Sequence, residues 1–203
     1  PVFKREELKQ SFNIPIEAKV IGNISRLTKV KDQTTTILAF KEARKKNNDL
    51  YLVLAGDGED EELLKNLVHE NNLSDFVRFL GRRDDLENVY SILDLFILSS
   101  LNEGMGRVIL EAFYFGIPVI ASEVGGIPDL IKNGFNGYLF EKGNFKEASE
   151  KILKLLENEK IPYILNNEKH ISEYPGIFEC FELLKYLIYE NELALFNFIS
   201  SPL

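Results

Sequence analysis

From residue 19 to about residue 140, short apolar runs alternate with longer stretches of helical spacing, the pattern of βαβ units around a mostly parallel sheet. The runs KVIGNI (19–24), LYLVLAG (50–56), FVRFLG (76–81), LDLFILSS (93–100), IPVIAS (117–122) and GYLF (137–140) are the candidate strands. Their near-continuous apolar character is what a strand covered on both faces requires. Six strands of this kind predict one doubly wound α/β domain.

The intervening stretches predict helices. Asp32 is a suitable N-cap for a helix from Gln33 to about Lys46, in which Ile37, Phe40 and Ala43 recur at helical spacing and the basic end KEARKK suits a C-terminus. A second helix covers residues 59–71, and a third begins near Glu87. A fourth runs over 106–115 and is stopped by Gly116 and Pro118, and a fifth starts at Pro128 and ends at Gly134, before the turn NGFNG. Beyond Lys146 the pattern is helical throughout. From Phe178 the positions Phe181, Leu184, Ile188 and Leu195 suit one helical face, with ISEYPGIF breaking the tail in two. The expected organisation is a segment over 1–18, an α/β domain over 19–160 and a helical tail over 161–203.

Composition narrows the class. With 45% hydrophobic and 28% charged residues among 203, the chain reads as a globular protein with room for a sizeable core, which excludes disordered and fibrous classes. A net charge of -8, spread as mixed acids and bases, disfavours nucleic acid or an anionic membrane as a bulk partner, so an anionic ligand must be held locally. Cys180 is the only cysteine, which excludes an internal disulfide and a four-thiolate zinc site and suits a reducing compartment. No stretch approaches the roughly 20 apolar residues of a membrane span. A cytoplasmic location is the expectation, and a start at Pro1 instead of Met suggests a fragment or a processed chain.

In open parallel sheets, ligands bind outside the carboxyl ends of the strands, where loops lead into helix N-termini whose amides favour anions. The residues that could carry chemistry lie at such ends. Arg26, Lys29 and Lys31 follow the first strand, Glu103, Gly104 and Gly106 the fourth, and Gly125 and Gly126 the fifth. Glycines allow close backbone approach to a phosphate or sugar, and paired cations compensate its charge, so the three loops together suggest a diphosphate site. Singly, each could be a turn glycine or a solvated charge.

Glu111 sits among Val108, Ile109, Leu110, Ala112, Phe113 and Phe115, in a helix apolar nearly all round. A carboxylate buried there needs a partner such as a ligand hydroxyl; the alternative is an ion pair with Arg107, one turn earlier. Glu103 either faces the same cleft from its loop or is a favourable charge near a helix N-terminus. AGDGEDEE lacks the third glycine of a dinucleotide fingerprint, and its acids would repel a pyrophosphate, so it reads as a tight turn into a helix. His69 and His170 have no ligand spacing, so no metal site is expected, and SLNEG is not a nucleophile elbow.

Together GNISRLTKVKD, AGDG, VRFLG and EGMGRVILEAFYFGIPVIAS resemble the C-terminal, donor-binding half of the retaining family 4 glycosyltransferases (glycosyl transferases group 1), enzymes of two-domain GT-B architecture. The resemblance covers residues 22–157 and includes a lysine five residues after the arginine and two glutamates with seven residues between them. It implies a Rossmann-like domain in which Arg26 and Lys31 hold the diphosphate of a nucleotide-sugar and the backbone around Phe79, Leu80 and Arg82 receives the base. Glu103 would contact sugar hydroxyls, the amides of Gly104, Met105 and Gly106 would sit near sugar or phosphate, and Glu111 would bind the ribose. Glu103, Arg26 and Lys31 are then the catalytic candidates.

The implied reaction moves a sugar from a UDP- or GDP-linked donor to a glycan, lipid or other hydroxyl acceptor with retention, without a cofactor or a required metal. The departing phosphate assists a front-face transfer. The resemblance also implies a separate N-terminal acceptor domain outside these residues, through which peripheral contact with the inner face of the membrane is left open. Three positions depart from the family pattern: Met105 where phenylalanine is frequent, Asp32 where glycine is common, and Asp129 where glutamate is usual. Two other readings remain open from the sequence, a GT-B-fold epimerase acting on a UDP-sugar and a non-catalytic sugar-nucleotide-binding module.

Overall fold

The computed structural model of the chain describes residues 4–157. In order, these form α1 (Arg5–Ser11), β1 (Lys19–Ile24), a 3-10 turn (Lys29–Lys31), α2 (Gln33–Arg44), β2 (Leu50–Ala55), α3 (Glu61–Glu70), β3 (Val77–Gly81) and α4 (Leu86–Ile92). There follow β4 (Leu95–Leu98), α5 (Arg107–Tyr114), β5 (Val119–Ser122), α6 (Ile127–Leu130), β6 (Gly137–Phe140) and α7 (Phe145–Glu157). All strands are parallel, in the order β3-β2-β1-β4-β5-β6, so the winding reverses between β1 and β4. This is the doubly wound, Rossmann-like α/β sheet that the sequence predicts.

Side chains on successive strand residues point to opposite faces, and the apolar runs divide accordingly. Val53, Phe96 and Leu98 join one core with residues of α1, α4, α5 and α6. Leu52, Leu54, Leu95 and Ile97 join a second core with residues of α2, α3 and α7. A run that is apolar at every position is therefore not excess hydrophobicity but two alternating half-patterns, one for each helical layer.

The structure adjusts several boundaries. LDLFILSS contributes only Leu95–Leu98 to the ladder. Asp94 instead accepts the Val20 N–H at 2.8 Å and pairs with Arg5 at 3.0 Å, while Ser99 and Ser100 turn their hydroxyls to neighbouring loops. The helix expected over 128–134 is the single turn α6: Asn136 donates to the Leu130 carbonyl at 2.9 Å and accepts the Lys132 N–H at 2.8 Å, which closes the helix early.

Helix α1, within the segment 1–18, was not anticipated. It is held by polar ties: Lys9 Nζ donates to the Ile16 and Ala18 carbonyls of the chain that follows, both at 2.8 Å, and Arg5 donates to the distant Ile92 carbonyl at 3.0 Å. Nearby, Arg78 donates to the Asn13 carbonyl at 2.7 Å. The tail expected over 161–203, with its apolar positions from Phe178, lies outside the described residues.

Candidate functional site

In an open parallel sheet the ligand crevice lies where the strand order reverses, and here that point is at the carboxyl ends of β1 and β4. Buried side-chain hydrogen bonds fix the loop after β1. Asn23 donates to the Ile97 carbonyl of β4 at 2.8 Å, Ser25 donates to Asn23 at 2.7 Å, and Gln33 donates to Ser25 Oγ at 2.9 Å and to the Arg26 carbonyl at 2.8 Å. The loop after β2 stacks on it from the other side. Leu27 donates to the Asp57 carbonyl at 2.8 Å, and a Cβ on Gly58 would lie 2.2 Å from the Leu27 carbonyl oxygen. AGDG is thus a tight turn, as expected, and its glycines admit the backbone of the arginine-bearing loop.

Arg26 is exposed at the end of β1. Lys31 closes the 3-10 turn, and Asp32 follows it in the left-handed region at φ 47°, accepting the Thr35 N–H as the N-cap of α2. That conformation accounts for the departure noted above. Glycine adopts it freely, aspartate is among the few residues that tolerate it, and here the aspartate caps the helix as well. Ser99 Oγ lies 2.6 Å from the Asp32 carbonyl and 3.1 Å from that of Lys31, tying this turn to the end of β4.

Lys31 Nζ donates to Glu103 Oε2 at 2.6 Å, and Ser100 Oγ donates to the same oxygen at 3.0 Å. The two charged side chains retain 23% and 14% of their exposure, so the pair is largely but not fully desolvated. For such a pair the desolvation cost roughly offsets the attraction, and its existence is poor evidence of a stabilising role. What it does establish is position: a cation and a carboxylate converge at the switch point from opposite sides of the reversal.

Gly125 and Gly126 hold the Glu103 loop. A Cβ on Gly125, at φ 54°, would fall 1.7 Å from the Glu103 carbonyl oxygen, and Gly126 N–H donates to the Gly104 carbonyl at 3.0 Å. The close approach these glycines allow is to the neighbouring loop. Gly104 has open space around it, and Met105 is 61% exposed. Gly106 is the N-cap of α5 at φ 64°; as a glycine it supplies no side-chain cap, and its carbonyl accepts the Ile109 N–H at 2.8 Å.

Glu111, on α5, is only 9% exposed. Tyr90, from α4, donates its hydroxyl to Glu111 Oε2 at 2.8 Å. Burial pushes the carboxyl above its ordinary range, against the opposing pull of the Tyr90 hydrogen bond and the Arg107 charge. The folded state therefore binds this proton more tightly than the unfolded chain does. The cost of burying Glu111 is full above its raised pKa, shrinks as the pH falls through it, and is gone only below the ordinary carboxylate range of the unfolded chain. Of the two partners considered from the sequence, Arg107 acts through its charge; Tyr90 was missed. Its signal was a phenol among the apolar positions Leu86, Val89 and Ile92 of LENVYSI, since a buried tyrosine hydroxyl needs a partner.

Phe79, Leu80 and Arg82 lie at the carboxyl end of edge strand β3, with Arg82 exposed. Three strand spacings of about 4.8 Å put them about 14 Å from β4 along the same edge. The Gly81 carbonyl accepts the Gly56 N–H at 2.8 Å, joining this end to the β2 loop. Just beyond, Arg83 grips Asp85 through two 2.6 Å bonds and lowers its pKa to about 2. Among the described residues no group of His, Cys, Asp and Glu could hold a metal, and no helix is long and apolar enough to cross a membrane.

The sequence pattern of the glycosyl transferases group 1 family matches residues 4–174, which include all of the described sheet and helices. The chain belongs to this family. It is 35% identical over 174 residues to an N-acetyl-alpha-D-glucosaminyl L-malate synthase of Bacillus anthracis, covering 85% of this chain and 45% of that protein. The fold superposes on Anabaena Alr3699/HepE, solved in complex with UDP-glucose, with a TM-score of 0.76 and 27% identity over 91% of this chain and 52% of that one. It also superposes, with a TM-score of 0.69 and 28% identity, on the C-terminal domain of a glycosyl transferase group 1 family protein (LpcC) from Francisella tularensis, covering 80% of this chain and 87% of that domain. The chain thus spans about half of the full-length relatives and most of an isolated C-terminal domain.

Proposed function

We propose that the chain is the donor-binding domain of a retaining, family 4 glycosyltransferase of GT-B architecture, which takes a sugar from a nucleoside diphosphate and passes it to a hydroxyl acceptor held largely by another domain. The observation that carries this reading is the convergence of Lys31 and Glu103 at the switch point, on the loop that leads into the N-terminus of α5. A diphosphate placed there meets Lys31, the exposed Arg26 and the α5 amides. A sugar beside it meets Glu103 and the loop of Gly104, Met105 and Gly106. In this reading the base extends toward Phe79, Leu80 and Arg82, and Glu111 accepts from the ribose hydroxyls. UDP is the first diphosphate to test, since Alr3699/HepE is solved in complex with UDP-glucose.

Chemically the arrangement serves departure of the diphosphate. Negative charge grows on the phosphate oxygens as the glycosidic bond breaks, and cations and amides already aimed at them stabilise that charge without reorganising at the moment of reaction. When the donor binds, Lys31 exchanges its carboxylate partner for phosphate, and Glu103 is released to accept from sugar hydroxyls. The exchange keeps both groups paired, so neither charge is stranded in the crevice.

Calorimetric titration with UDP, GDP and ADP tests this. Arg26→Ala is expected to weaken the preferred diphosphate at least tenfold, because a charge-assisted contact contributes on the order of 1.5–3 kcal/mol. The fold should be intact, since Arg26 is exposed. Undiminished affinity in the variant would remove Arg26 from the site, and no binding of any diphosphate by the unaltered chain would defeat the reading as a whole.

Glu111→Gln and Arg107→Ala together separate ligand binding from a structural ion pair. If Glu111 serves the ribose, Glu111→Gln should fold and yet bind diphosphate about tenfold more weakly, while Arg107→Ala alters affinity far less. Equal losses of stability with unchanged affinity in both variants would favour the ion pair.

A further inference from the structure

Tyr90 belongs to no part of the donor site as described, yet its hydroxyl is buried and committed to one of the two carboxylates that matter. We propose that Tyr90 is a positioning residue of the nucleoside pocket. By pinning one oxygen of Glu111, it fixes the direction in which the carboxylate meets a ribose and makes the site discriminate ribonucleotides from their deoxy analogues. The inference rests on the reading of Glu111 as the ribose contact.

The geometry is specific. Tyr90 OH lies 2.8 Å from Glu111 Oε2 across 21 residues of sequence. The phenol ring cannot swing, because it stacks on Phe115 with centroids 5.0 Å apart and planes 9° from parallel, and Phe96 lies against it at 6.1 Å. A glutamate side chain has several rotatable bonds, and one left loose would have to be ordered each time a ligand arrived. With Oε2 held, ligand hydroxyls are read by Oε1 from one direction. Vicinal hydroxyls of a ribose can satisfy that demand, whereas a sugar lacking them leaves a buried acceptor less well paired, the situation in which polar sites discriminate most.

Topology gives the contact a further use. Helix α4 is the connection that leaves β3, whose end is proposed to take the base, and enters β4, whose loop carries Glu103. Tyr90 therefore ties the ribose carboxylate to the same connection that borders the base, so the two halves of a nucleoside are presented in fixed relation. Phe115, exposed at the end of α5, backs the ring from the other side.

The test titrates the 203-residue chain and its Tyr90→Phe variant with UDP, 2′-deoxy-UDP and 2′,3′-dideoxy-UDP. The unaltered chain should prefer UDP to the dideoxy compound by about tenfold or more. Tyr90→Phe should lower UDP affinity by about five- to tenfold while changing dideoxy-UDP affinity less than twofold, so that the preference collapses. A purely structural tyrosine would lower both affinities together or neither, and either result overturns the proposal. Should Tyr90→Phe fail to fold, Phe115→Leu loosens the same ring from an exposed position, and it should erode the preference by about two- to threefold; a fully kept preference there overturns the proposal too. An unaltered chain that binds UDP without any preference for the ribose defeats the reading of Glu111 itself, and the role of Tyr90 with it. Failure to bind UDP, GDP or ADP at all defeats the donor site.

Discussion

Gly125→Ala is expected to destabilise the fold by about 3 kcal/mol or more and to weaken diphosphate binding as well. Two costs combine. The position is left-handed at φ 54°, a conformation that carries a penalty of roughly 1–2 kcal/mol for a side-chain-bearing residue. The added Cβ would also fall 1.7 Å from the Glu103 carbonyl oxygen and 2.9 Å from its carbon, and these are backbone atoms that cannot rotate away. Relief requires the 123–126 and 103–106 loops to part, which breaks the Gly126 hydrogen bonds to the Glu103 and Gly104 carbonyls and displaces the Glu103 carboxylate from Lys31. For a chain of this size, about 3 kcal/mol corresponds to a fall in Tm of roughly 6–12 °C. Gly104→Ala is the matched control, because nothing lies within 4 Å of a Cβ there. Thermal and urea unfolding of the two variants should differ sharply; a Gly125→Ala variant within 1 kcal/mol of the parent would show that the loops do not depend on this contact.

The contrast between these two glycines marks where sequence reading stopped. All six strands were legible because a strand buried on both faces leaves an almost uninterrupted apolar run, and Leu52, Val53 and Leu54 show why: consecutive residues serve opposite cores. Arg26, Lys31 and Glu103 could be singled out because they follow strand ends, where parallel sheets gather ligands. The contact between Lys31 and Glu103 spans 72 residues, and that of Tyr90 with Glu111 spans 21, and no local periodicity encodes either. Gly125 and Gly126 looked like phosphate-approaching glycines for the same reason: a glycine announces that something comes close, not what. Their neighbour is the Glu103 loop. Helix α1 was invisible because seven residues tied by Lys9 to the Ala18 carbonyl and by Arg5 to the distant Ile92 carbonyl need no amphipathic repeat.

The largest effect is expected in catalysis. These 203 residues alone should bind a nucleotide-sugar but transfer it to an acceptor at least about a thousandfold more slowly than a full-length family member. The chain spans 45% of the Bacillus anthracis relative and 52% of Alr3699/HepE. The described residues gather Lys31, Glu103 and the α5 N-terminus at the switch point, and Met105 stands 61% exposed on the same loop as Glu103. Holding two reactants in attacking geometry supplies roughly 7–11 kcal/mol of barrier lowering, and a domain that binds the donor alone forgoes it. Such a domain also leaves the donor open to water, so slow donor hydrolysis should compete with what transfer there is. Incubation with radiolabelled UDP- and GDP-sugars and a cell extract supplying acceptors reads both outcomes. Free labelled sugar with little labelled product is the expected pattern. Rapid label transfer with the anomeric configuration retained would mean that these residues suffice for acceptor positioning.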